Sequence, residues 1–97
     1  MISITWSPHA LRDLESIRDF IAQDSAQYAD LVVERITAAV ERLASFPQSG
    51  RVVPELQRPD VREVIHRPYR IVYRLRNEAV EIATVFRSSR LFPGVSE

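Results

Sequence analysis

Residues 69–87 hold the feature that most restricts the fold: two alternating, β-branched runs, YRIVYRLR and AVEIATVFR, separated only by Asn77 and Glu78. Alternation at period two marks a strand with two unlike faces. A two-residue connection then predicts an antiparallel hairpin, even though Asn-Glu is not the favoured Asn-Gly. Folding the runs about that turn sets Arg76 opposite Ala79, Leu75 opposite Val80, Arg74 opposite Glu81 and Arg70 opposite Val85. One face collects Tyr69, Ile71, Tyr73 and Leu75 with Val80, Ile82, Thr84 and Phe86. The other collects Arg70, Val72, Arg74 and Arg76 with Glu81, Ala83, Val85 and Arg87. A slip of one residue would scramble both sets, so the pattern alone supplies a register.

Upstream, Ile2, Ile4 and Trp6 alternate with Ser3 and Thr5, as in a short half-buried strand. Ser7-Pro8 follows as an N-cap and a proline suited to the first helical position. Ala10, Leu14, Ile17 and Ile21 recur at helical spacing, so residues 8–23 read as an amphipathic helix. Asp24-Ser25 breaks it and caps a second helix, where Ala29, Val33, Ile36, Val40 and Leu43 are spaced 4, 3, 4 and 3. Helices joined by so short a connection form an antiparallel hairpin. Pro47 and Gly50 end the second helix, and residues 47–60, with three prolines, read as a loop. VREVIHR is a further strand. Arg67-Pro68 matches no standard hairpin turn, so the register of residues 61–67 and the face of Glu63 stay open. The expectation is one α+β domain over residues 1–97, in the order β-α-α-β-β-β. Its helical hairpin packs on one face of a mostly antiparallel sheet.

All thirteen basic residues are arginine. Every cation is therefore a planar fork that stays charged, and no lysine amine is available as a base. Acids balance them to zero net charge, but unevenly. Residues 1–50 carry four arginines against seven acids, net −3, and residues 51–97 carry nine against six, net +3. A basic C-terminal half favours an anionic partner there. With no cysteine, disulfides and thiolate metal sites are excluded. His9 and His66 have no ligand-spaced neighbours, so no metal and no cofactor is implied. MISITWSP lacks a basic segment leading into a long apolar stretch, and no run approaches the ~20 apolar residues of a membrane helix. A cytoplasmic protein with no membrane partner is expected.

Within the arginine-bearing face, Arg74 opposite Glu81 reads as a cross-strand ion pair. Arg70 lacks such an acid, and in the derived register Arg87 is its diagonal neighbour. Two like charges that close repel unless an anion bridges them, or unless Glu63 or a loop acid pairs them. The carboxylates Asp13, Glu15, Asp19 and Asp24 read as solvated helix charges, and His9 as a surface residue. Trp6, Tyr69 and Tyr73 read as core, and His66 as a structural strand-end histidine.

The ordered set of strand, helical hairpin, the loop FPQSGRVVPEL, the strand YRIVYR and a closing strand ending in Val85-Phe86-Arg87 resembles the RelE/ParE superfamily of type II toxin–antitoxin toxins over roughly residues 3–90. The resemblance implies the fold above, neutralisation by a cognate antitoxin, and one of two targets. RelE-like members cut messenger RNA on the ribosome; ParE-like members poison DNA gyrase. For a ribonuclease, Glu55 would match the loop acid and Arg70 the strand arginine, with Arg87 as further cationic support. Cleavage by 2′-hydroxyl attack also needs an acid for the leaving oxygen. Here Ser88-Ser89-Arg90 follows the last strand, with no Tyr or His. Inhibition by binding needs no proton transfer, so the ParE-like reading is favoured, with no catalytic residues. Its expected target contacts are Arg51, Arg70, Arg87, Arg90 and Phe92, and its antitoxin contacts Leu11, Ile17, Phe20, Tyr28 and Val32. The closing turn departs from the His-Gly-x-Arg-like pattern usual in that branch.

Overall fold

Ser7 ends the first strand and starts the first helix in one step. In the computed structural model, which describes residues 1–95, its Oγ accepts from the Ala10 amide and donates to the Ala83 carbonyl, both at 3.0 Å. Strand β1 (Ser3–Trp6) thus passes directly into helix α1 (Pro8–Ala22), with proline at its start. Ser25 repeats the device for helix α2 (Ala26–Glu41), its Oγ accepting from the Tyr28 amide at 3.0 Å. A single 3-10 turn, Arg42–Ala44, finishes that helix. The buried stripe of α2 is Ala29, Val32, Ile36, Ala39 and Val40, so Val32 rather than Val33 faces the core.

Four further strands complete a five-stranded sheet: β2 (Arg51–Val52), β3 (Val61–His66), β4 (Tyr69–Arg76) and β5 (Ala79–Arg87). Their order is β1-β5-β4-β3-β2, parallel only between β1 and β5. The helical hairpin covers one face, as expected. The two-residue β2 was hidden in the segment read as a loop. Arg67-Pro68, with its peptide in cis, closes a two-residue turn that sets His66 opposite Tyr69 and Glu63 opposite Val72. Glu63 thereby lies on the face away from the helices.

The β4–β5 hairpin follows the derived register only as far as the middle. Arg76 opposes Ala79, Leu75 opposes Val80 and Arg74 opposes Glu81. Then Tyr73 pairs with Ile82 and Val72 with Thr84, leaving Ala83 as an extra residue in β5. Such a bulge shifts every later residue by one and exchanges the faces. Arg70 therefore opposes Phe86 instead of Val85, and Arg87 opposes Tyr69. Val85 joins the helix-side core with Tyr69, Ile71, Tyr73, Val80, Ile82 and the α2 stripe. Phe86 turns to the other face. There it forms a second cluster with Val53, Val61 and Val72, covered by Leu56, Phe92 and Val95.

Asp13 explains where the unpaired edge of β5 goes once β1 has ended. One carboxylate oxygen accepts from the Val85 amide at 2.9 Å and the Thr84 hydroxyl at 2.6 Å. It is a structural acid, not the solvated charge read from the helix pattern. His9, one turn back, lies 3.4 Å from the same oxygen.

On the helix side of the sheet, the Tyr73 hydroxyl donates to the Pro47 carbonyl at 2.8 Å and accepts from the Gly50 amide at 3.0 Å. A Cβ at residue 50 would stand 2.6 Å from both the Glu63 carbonyl oxygen and the Tyr73 hydroxyl, so only glycine fits. Tyr73→Phe leaves the buried Gly50 amide unpaired and is expected to cost ~1–3 kcal/mol. Gly50→Ala, by overpacking, should cost a similar ~1–3 kcal/mol. In a domain this small each kcal/mol lowers Tm by roughly 4–8 °C. Thermal melts of both variants at the wild-type midpoint would show that this contact does not hold the loop.

Candidate functional site

The basic face of the sheet is organised by a carboxylate. Glu63 is only 1% exposed, and its two oxygens accept from different arginines. Oε1 takes Arg70 Nε and Oε2 takes Arg51 Nε, each at 2.6 Å. Arg70 in turn donates from both terminal nitrogens to Glu55, at 2.7 and 2.8 Å, in the two-pronged geometry that suits a guanidinium and a carboxylate. Its charged carbon lies 5.0 Å from the Phe86 ring centre and 5.6 Å from that of Phe92. The two rings meet edge to face at 6.0 Å.

Hydrogen bonding from Arg70 holds the Glu55 carboxyl down at about 2, well below its ordinary 4.5. The same bonds raise Arg70 further above its already high value. Arg74 lies beside them, bonded to Glu81 at 2.8 and 3.1 Å as the hairpin pattern predicted, and it lowers the Glu81 carboxyl. Of the two partners considered for Arg70, an external anion or internal acids, the structure holds the internal acids.

The residues expected to contact a target fall in two places. Arg51 and Arg70 line a shallow groove of about 580 Å³ with Ile65, Arg67, Pro68 and Ser88. Phe92 is half-buried against Phe86 beside them. Arg87 is on the helix side instead, its guanidinium carbon 5.8 Å from the Tyr69 ring centre. With Arg90 it borders a cleft of about 290 Å³ whose walls include Asp13, Ile17 and Phe20. The diagonal pairing of Arg70 with Arg87 is therefore absent, because the bulge at Ala83 sends them to opposite faces.

The expected antitoxin contacts also divide. Leu11, Phe20 and Tyr28 are exposed, Phe20 by 67%, and Leu31, which the sequence reading did not single out, joins them. Ile17 is half-buried against the core. Val32 is 6% exposed and belongs to the core, because α2 turns it and not Val33 toward the sheet. Arg67, missed in the sequence, sits at the tip of the β3–β4 turn. Only its adjacency to His66 and Pro68 could have drawn notice.

Comparison with known proteins agrees with this architecture. Residues 4–92 match the family described as the ParE toxin of the type II toxin–antitoxin system parDE. Y4kP of Sinorhizobium fredii is 38% identical, with 95% of this chain and 94% of that protein covered. The toxin RelE2 of Caulobacter vibrioides is 35% identical over 94% of this chain and all of its own length, 100%. A solved chain from the chromosomal ParDE toxin–antitoxin system of P. aeruginosa superposes with a TM-score of 0.75. It is 26% identical, over 90% of this chain and 96% of that one.

Two outcomes follow from the ion network. Glu63→Ala strands Arg70 against two aromatic rings with a single acid left and should cost ~3–5 kcal/mol, read from urea unfolding. A midpoint within error of wild type would mean that Glu63 does not organise the face. Glu55, with its folded value below its unfolded one, contributes stability fully above about pH 4.5 and loses it as pH falls toward 2. Glu55→Gln should therefore flatten the wild-type decline in Tm between those pH values; an unchanged slope would assign acid lability elsewhere.

Proposed function

We propose, on the premise that this chain belongs to the ParE toxin family of type II toxin–antitoxin systems, that it arrests growth by binding DNA gyrase without catalysing a reaction. A cognate antitoxin neutralises it by covering the exposed side chains Leu11, Phe20, Tyr28 and Leu31 on the helical hairpin.

The observation that carries the non-enzymatic reading is the state of the three residues a ribonuclease would need. Glu55 is held by two bonds from Arg70, and a carboxylate held at about 2 is a weak base for a ribose hydroxyl near neutral pH. Arg70 spends donors on Glu55 and Glu63 and is flanked by Phe86 and Phe92. Arg87 is on the opposite face of the sheet from both. These groups do not converge on one reacting phosphate, as a preorganised site requires. A binding inhibitor needs only exposed donors, and Arg87 and Arg90 offer them. The likeness to a toxin named RelE2 is what favours the second reading, ribosome-dependent cleavage of messenger RNA.

Expression of the chain alone, with mapping of messenger 5′ ends across the transcriptome, separates the two. Growth arrest with intact messages is expected, and the purified protein should inhibit gyrase supercoiling. Arg87→Ala combined with Arg90→Ala should weaken that inhibition by ~10-fold or more, the loss of one or two charge-assisted contacts. New 5′ ends in phase with codons would overturn the gyrase reading in favour of cleavage.

A further inference from the structure

Between the β3–β4 turn and the helical hairpin lies a pocket of about 140 Å³ that shares only Tyr28 and Arg87 with the contacts proposed above. Arg35 of α2, Arg67 of the turn and Arg87 at the end of β5 all line it, with His66, Tyr28 and Tyr69. No acid lines it, and none of the three arginines has a carboxylate partner among the described residues. This sets them apart from Arg51, Arg70 and Arg74, whose charges are answered by Glu63, Glu55 and Glu81. Three arginines drawn from three separate elements line one small cavity that no carboxylate shares, and such a lining favours an anion over any other ligand.

We propose that this pocket binds a terminal phosphoryl group, either inorganic phosphate or the phosphate monoester at the end of a nucleotide or nucleic acid chain. Charge selects that ligand. Planar forks from three elements offer several N–H donors along one cavity, and a phosphoryl group, with more acceptor oxygens and more negative charge than a carboxylate, answers more of them. The cavity has room for one tetrahedral oxyanion. Ile21, Val32, Pro68 and the two tyrosines complete its lining with His66, so the arginines are its permanently charged groups. The site stands independently of the target: its test is a binding measurement with no toxicity readout.

The test uses the whole chain in chloride buffer of fixed ionic strength, titrated by calorimetry. The probes are inorganic phosphate, a nucleoside 5′-monophosphate, and a single-stranded oligonucleotide with and without a 5′-phosphate. Saturable phosphate binding is expected, weakened ~10-fold in each of Arg35→Ala and Arg67→Ala. Both residues are exposed, so the fold should persist, and circular dichroism checks it. Equal affinity for inorganic phosphate and the monophosphate assigns a free phosphate as the ligand. Much tighter binding of the phosphorylated oligonucleotide assigns a nucleic-acid end. No binding of any phosphate probe, or undiminished binding in the folded variants, overturns the proposal.

Discussion

The contact between Glu63 and Arg70 is the constraint on which the sheet's second face depends. A carboxylate 1% exposed is tolerable only if both oxygens are bonded, and here each accepts from a different guanidinium at 2.6 Å. That requirement fixes neighbouring parts of the chain. Arg51 must come near, so the segment after Gly50 is drawn into the short strand β2. Arg70 gives its Nε to Glu63, and its outer nitrogens then reach Glu55 in the loop between β2 and β3. The aromatic rings of Phe86 and Phe92 pack on the guanidinium, so the apolar cover of this face is built around a charge. Buried pairs of this kind give weak net stability but penalise alternatives heavily. A one-residue slip of β3 would strand both ions.

Much of this was legible in the sequence because the two periods are clean. Helical spacing located the first helix within a residue and the start of the second, whose α-helical part stops at Glu41 rather than near Pro47. Alternation with a two-residue turn placed Arg74 opposite Glu81. The pattern failed at Ala83. A bulge costs one residue and leaves little trace when the flanking positions are Thr84 and Val85, either of which suits either face. Counting from the turn therefore kept Phe86 with the helices and Arg87 beside Arg70, and both moved when the register did. Glu63 was ambiguous for another reason. Its face depends on the Arg67-Pro68 turn, whose geometry is not encoded in any common turn signature.

The second apolar cluster was the larger omission, and its signal was scattered. Val53 and Leu56 lie in a proline-bearing segment that reads as a loop, and Phe92 lies beyond the last strand, all without periodicity. Nothing local says that they meet. What brings them together is the need to cover Val61, Val72 and Phe86 on a sheet face that the helices do not reach. A short domain with both sheet faces covered buries more apolar area than the helical hairpin alone could provide, and that matters at a size where the surplus of stability is small.

The arginines can finally be sorted by what answers them, and the sorting separates architecture from recognition. Those on the outer sheet face are committed: Arg51 and Arg70 to Glu63, Arg70 also to Glu55, Arg74 to Glu81. Removing any of these charges disturbs folding first, so toxicity lost in such a variant says little about the target. The arginines with no carboxylate partner among the described residues include Arg35, Arg67, Arg87 and Arg90, the last three clustered where the β3–β4 turn and the end of β5 meet the helices. A chain of zero net charge gains an anion-seeking surface only by leaving some cations unanswered, and this end of the sheet is where it does so. The basic C-terminal half is then two things in one stretch of sequence: a scaffold made of paired charges, and a short unpaired set that remains available to a partner.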